Sequence, residues 1–193
     1  HRAMHASADS TCSIWRSPPD MSQPQARLVC DARASIGESP VFADGALLWT
    51  DPVRRLLLRI ADGADGAPAE SATTEQIFAL ARRAGGPLFG AQEKRFVALS
   101  DGAASILGPE AALAPGCRFN DMTVDTSGGL WVGAMHRGLL ATTGAIFHAP
   151  SIGNAPRLVA SGLGVPNGMG FSADGATLYL IDTLARTLLA YPV

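Results

Sequence analysis

Five residues carry side chains whose chemistry and placement point to a site: Glu38, Arg118, Asn120, Asp121 and Asn167. Glu38 lies in "IGESPVF", Arg118, Asn120 and Asp121 in "RFNDMTVDTSGGLWVGAM", and Asn167 in "GVPNGMGF". Each stands a short way upstream of an Asp- or Gly-containing turn. Carboxylate and amide oxygens without cysteine or histidine suit a hard cation such as calcium or magnesium, and zinc or manganese also occupy such sites. Taken singly, each has a plainer reading: Asn-Gly is a common turn dipeptide, and Glu38 alone could be a surface residue. Their shared placement relative to the turns favours the functional reading.

The turns belong to a repeat. "VFADGALLWTD" (41–51), "VDTSGGLWVGAM" (124–135) and "FSADGATLYLID" (171–182) share an apolar residue, a short Asp/Gly turn and a strand with an aromatic. A weaker copy, "ALARRAGGPLFGAQ" (79–92), turns on Gly85 and Gly86. The aromatics Trp49, Phe89, Trp131 and Tyr179 follow one another at intervals of 40, 42 and 48 residues. That period, with several short strands per unit, is the signature of β-propeller blades. "ESATTEQIFALARR" offers a competing helix, but Thr73, Thr74 and the Gly-Gly that follows fit a strand pair at least as well. The expected fold is therefore all-β, a propeller of about four blades over residues 21–193. In a propeller, equivalent positions of successive blades come round a central axis, so polar residues upstream of successive turns converge.

Composition narrows the function. With 47% hydrophobic and 17% charged residues the chain is globular. A formal net charge of −2 and the lack of a long basic run leave no electrostatic footprint for nucleic acid. Cys12, Cys30 and Cys117 are widely spaced and odd in number, which supports neither a disulfide framework nor a zinc knuckle and favours a reducing compartment. His1, His5, His136 and His148 form no H-E-x-x-H. No apolar run approaches the roughly 18 residues of a membrane span, so no membrane partner is expected and the location is expected to be cytoplasmic. G-x-S-x-G is absent, "GLGVPNGMG" leads into a strand rather than a helix, and Gly85 to Gly90 lacks a following Lys-Ser or Lys-Thr. These absences remove serine-hydrolase, dinucleotide and P-loop chemistry. Residues 1–20, "HRAMHASADSTCSIWRSPPD", have no apolar signal-peptide core and are expected to be a disordered or spurious extension before Met21.

The chain resembles the regucalcin and gluconolactonase family, also called senescence-marker-protein-like, of six-bladed β-propeller lactonases. The resemblance lies in "IGESPVFADGALLWTDPVRRLLLRI", "RFNDMTVDTSGGLWVGAM" and "PNGMGFSADGATLYLIDT". It implies one divalent cation, calcium, zinc, magnesium or manganese, with Glu38 and Asn167 as metal ligands. It implies Arg118 and Asn120 as substrate-binding residues, a sugar lactone as the small-molecule partner, and lactone hydrolysis as the reaction. The family's third ligand, an aspartate that is also the favoured general base, is expected beyond Val193. Asp174 and Asp182 occupy the repeat's own turn and strand end and are not promoted to it. Asp121 is read first as a structural hydrogen-bonding residue. On this reading the chain is a C-terminally truncated fragment whose hydrolysis is impaired. The alternatives are a non-catalytic calcium-binding or interaction propeller and a related propeller esterase.

Overall fold

The computed structural model describes residues 26–83, 85–100 and 103–193; the segment 1–20 lies outside them. Every regular element among the described residues is a strand. Each of the four sheets is an antiparallel meander in which neighbours in sequence are neighbours in space. The first sheet contains β1 (Glu38–Ala43), β2 (Ala46–Asp51), β3 (Leu56–Ala61) and β4 (Ala69–Ala72). The second contains β5 (Ala79–Arg82), β6 (Leu88–Ala91), β7 (Phe96–Ser100) and β8 (Ala103–Ile106). The third contains β9 (Cys117–Val124), β10 (Leu130–His136), β11 (Gly144–Ala149) and β12 (Arg157–Leu163), and the fourth β13 (Pro166–Phe171), β14 (Thr177–Asp182) and β15 (Thr187–Pro192). This is four blades of a β-propeller, and the expected all-β propeller is what the chain forms.

Each of the four repeated turns closes the first hairpin of a blade. Asp44 and Gly45 join β1 to β2 with left-handed φ values of 49° and 65°, the geometry a tight hairpin needs and that Asp-Gly supplies cheaply. Contacts run from β1 to β5, from β5 to β9 and from β9 to β13, so the first strands lie innermost and face one another. Burial follows from that stacking. β6 is buried along its whole length and β10 over all but its last residue, because blades lie on both their faces, and "LWVGAM" correspondingly reads as an apolar run. β14, with a neighbouring blade on one face, alternates: Leu178, Leu180 and Asp182 are buried and Tyr179 and Ile181 exposed.

The core between the second and third blades holds Phe89, Phe96, Phe119 and Phe147. The Phe96 and Phe119 rings stack at 5.3 Å. Burying each such ring contributes roughly 1.5–3 kcal/mol, and Phe119 is the side chain that fixes which way its neighbours point. With Phe119 turned to the core, strand alternation turns Arg118 and Asn120 to the other side, toward the axis.

Candidate functional site

Three of the four innermost strands carry a β-bulge, each where a polar residue of interest stands. On β1, Glu38 pairs with Thr50 and Val41 with Leu48, so Ser39 and Pro40 together oppose Trp49. On β9, Phe119 pairs with Ala134 and Met122 with Val132, so Asn120 and Asp121 together oppose Gly133. On β13, Pro166 pairs with Asp182 and Met169 with Leu180, so Asn167 and Gly168 together oppose Ile181. A bulge inserts a residue and re-aims side chains. Here it lets Asn120 and Asp121 leave the core side while Phe119 and Met122, on either side of them, stay buried. The polar trio therefore lies inside a strand.

Glu38, Arg118 and Asn120 line one cavity of about 250 Å³, with Ile36, Pro52, Val53, Gln76, Phe78 and Arg137. Asn167 is not among the lining residues, yet the strand that carries it is tied to the site on both sides. Asn120 Nδ2 donates to the Pro166 carbonyl at 3.0 Å, and the Gly168 N–H donates to Asp121 Oδ2 at 2.7 Å. Gly168 has φ +86°, which a side chain would strain, so glycine is what lets its N–H turn to the carboxylate. Asn167 itself stays exposed.

Arg118 donates through Nη1 to the Phe119 carbonyl at 2.6 Å and to Asn120 Oδ1 at 3.0 Å. Its guanidinium lies 4.1 Å from the centre of the buried Phe78 ring, within cation–π range. Asp121 Oδ1 accepts the Met122 N–H at 2.9 Å. Burial raises the Asp121 pKa against the N–H groups of Gly168, Met122 and Met169. Glu38 is also raised, by desolvation first and by the Asp121 charge second, with Arg118 opposing. Burial, then the like charge of Arg137, lowers the Arg118 pKa, while Glu93 and Glu38 act against that. Two carboxylates and two guanidiniums thus sense one another across this end of the axis.

The repeat's own aspartates do something else. Asp182 accepts N–H groups from Gly164, Val165 and Ala185 at 2.8, 3.0 and 3.3 Å, and Asp51 accepts those of Ser35, Val53 and Arg54 at 2.7, 3.1 and 3.1 Å. Both are buried at the end of a second strand, where they fasten the incoming chain and the next turn. Asp174 accepts from its own turn at Ser172 and Ala176. Trp131 is core, with Nε1 donating 2.9 Å to Asp125 and its ring stacked on His148 at 4.1 Å.

Phe78, Gln76 and Arg137 complete the cavity without having been singled out from the sequence. Phe78 precedes the weakest of the four repeats, so repeat equivalence was the signal that could have found it. Arg137 follows the end of β10, and its pairing with Glu93 of the second blade is a contact no local pattern reveals. Among the described residues no group of three or more His, Cys, Asp or Glu side chains is gathered to hold a metal. The donors available are Glu38 with amide oxygens.

Residues 36–193 match the model of the family described as SMP-30/Gluconolactonase/LRE-like region. A Rhizobium meliloti protein whose name assigns it to the sugar lactone lactonases is 39% identical over 75 residues, 39% of this chain and 25% of that protein. Regucalcin of Agrobacterium tumefaciens, a calcium-binding protein, superposes with a TM-score of 0.69 at 26% identity, covering 83% of this chain and 55% of regucalcin. A gluconolactonase of Xanthomonas campestris gives a TM-score of 0.68 at 25% identity, covering 83% of this chain and 59% of that enzyme. The chain thus aligns with little more than half of either solved protein.

Proposed function

The chain belongs to the SMP-30/gluconolactonase/LRE-like family, and on that premise we propose that the propeller containing these four blades hydrolyses sugar lactones with the help of one divalent cation. The observation that carries the reading is the convergence of Glu38, Arg118 and Asn120 on one cavity from two different blades, beside the strand of Asn167. The lactonase and gluconolactonase likenesses support the same chemistry.

Glu38 and Asn167 are the residues proposed to hold the cation, and the donor set fits: oxygen only, with the Glu38 pKa raised by burial and then by the like-charged Asp121. A positive ion would relieve that repulsion. Bound there, calcium, zinc, magnesium or manganese would polarise the ester carbonyl and make water more acidic. Arg118 offers the donors its Nη1 bonds leave over, and Asn120 keeps one N–H after the bond to Pro166. Aimed at the carbonyl oxygen, they stabilise the charge that develops as water adds to the carbonyl carbon and the ring C–O bond breaks. The ring oxygen leaves as the alcohol and the carbonyl becomes the carboxylate. Ile36, Pro52 and Val53 supply the apolar part of the cavity lining beside these donors. No residue of this chain is assigned as general base.

A pH-indicator assay with gluconolactone tests the proposal. Opening that a chelator stops, that added cation restores and that Glu38→Gln lowers about tenfold or more is the expected result. Opening by the propeller containing these blades that ignores both chelator and substitution refutes the metal role, and no opening by it with any cation refutes the lactonase reading; residues 21–193 by themselves are expected to show impaired opening. The calcium-binding likeness favours a second reading, a non-catalytic calcium propeller. That reading expects calcium to raise the melting temperature with no lactone opening.

A further inference from the structure

Two arginines and one carboxylate line the cavity. Arg118 and Arg137 both approach the face of Phe78, with guanidinium carbons 4.1 and 5.8 Å from the ring centre. Phe78 is buried, so the ring is a fixed platform that brings two cations to the same wall of one small space. Arg137 forms an ion pair with Glu93 at the rim, where both side chains stay about half exposed. Arg118 donates, among the described hydrogen bonds, from Nη1 to two uncharged oxygens, and the Glu93 and Glu38 charges act on it without bonding it. The lining carboxylate, Glu38, belongs to the proposed cation site. Guanidinium groups present flat, forked donors that match carboxylate geometry, and the like charge of Arg137 still opposes that of Arg118 beside Glu93 and Glu38, so a ligand carboxylate lying between the two would be favoured. At about 250 Å³ the space suits a single sugar ring, being smaller than the ~300–1,000 Å³ of pockets for larger ligands.

We propose that Arg137 is a specificity-determining residue which, with Arg118, selects substrates carrying an additional carboxylate, so that the favoured class is the lactone of a sugar diacid rather than a neutral aldonolactone. This rests on the lactonase reading of the same cavity, with Arg118 at the lactone end and Arg137 meeting the distal carboxylate. Opening such a lactone with water yields a dicarboxylate, and the dicarboxylate is a stable probe of the same contacts.

Binding of glucarate, with two carboxylates, and of gluconate, with one, is measured by calorimetry on the full chain at low ionic strength. The expected result is a Kd for glucarate at least ten times lower than for gluconate. Arg137→Gln should collapse that ratio to within about twofold, and Arg137→Lys should restore part of it, because a point charge replaces a fork. An equal loss for both ligands marks a structural role for Arg137 and overturns the inference; so does a parent chain that shows no preference or binds neither ligand. Melting curves of the variants confirm that they fold. A parallel opening assay with gluconolactone and a glucarolactone separates the two ideas: opening of neither removes the lactonase reading and the lactone part of the inference with it, leaving only carboxylate selection by Arg137, whereas opening without a glucarate preference overturns the inference alone.

Discussion

Replacing Asp121 with asparagine tests whether this residue fastens the site or takes part in the chemistry. Its two oxygens accept two backbone N–H groups, Met122 at 2.9 Å and Gly168 at 2.7 Å, and the second joins the bulge of β13 to that of β9. An amide has one acceptor oxygen. Whichever way the new amide turned, one N–H would lose a charged acceptor and face an NH2 group, a loss of about 1.5–3 kcal/mol. Part of this is recovered, because burial already disfavours the Asp121 charge, as its raised pKa shows. The net cost is about 1–2 kcal/mol, small against the ~5–15 kcal/mol that holds a domain together, so the variant folds. With a urea m-value near ~2 kcal/mol/M, the midpoint at pH 7 should fall by about 0.5–1 M. The Glu38 pKa should fall as well, since Asp121 is the like charge that helps to raise it. Urea unfolding followed by tryptophan fluorescence and carboxyl-carbon NMR titration give the two readouts. A midpoint equal to the parent's or above it, with Glu38 unmoved, would refute the account.

Two further substitutions probe the scaffold. For Asp51, burial would raise the pKa, but the N–H groups of Arg54, Ser35, Ile36 and Val53 outweigh it and hold the carboxyl below its usual range. The folded state then binds its proton less readily than the unfolded chain. The resulting stability is present above the unfolded pKa of ~3.9 and is lost as pH falls through the lower folded value; Asp51→Asn should therefore be less stable at pH 7 and lose less on acidification, as denaturant midpoints between pH 7 and 2 would show. Gly133 faces the bulge of β9, and a Cβ there would stand 2.6 Å from Pro166 Cβ and 3.1 Å from its carbonyl oxygen. Gly133→Ala should push β13 away at a cost of about 1–3 kcal/mol, read as a lower melting temperature.

The blades were legible because their signals are local. Asp44-Gly45 and Asp174-Gly175 are turn dipeptides followed by alternating apolar residues, and both do open the second strand of a blade. Even the second blade, whose "GAQEKRFVAL" lacks a glycine at its second turn, closes there with the Gln92 N–H donating to the Arg95 carbonyl at 3.0 Å. Register was not legible. Nothing in "RFNDMTV" says that Asn120 and Asp121 share one partner, because a bulge is defined by the strand opposite. The same holds for Arg137, whose place in the cavity depends on Glu93 and Phe78 of another blade.

Bulges at three of the four described inner strands answer a conflict that a regular strand cannot resolve. β9 must keep Phe119 and Met122 in the core, and strict alternation puts residues three apart on opposite faces. One inserted residue restores Met122 to the core and frees Asn120 and Asp121 to serve the axis. The cost is a lost ladder position and, on β1, a non-glycine residue, Ser39, at φ +51°, a conformation worth roughly 1 kcal/mol or more of strain. β5 shows no such shift in its register and sends the aromatic Phe78 to the cavity from just before its start. Glu38, Arg118 and Asn120 thus reach the cavity from bulged strands, while Phe78 reaches it from beside a strand that keeps its ladder.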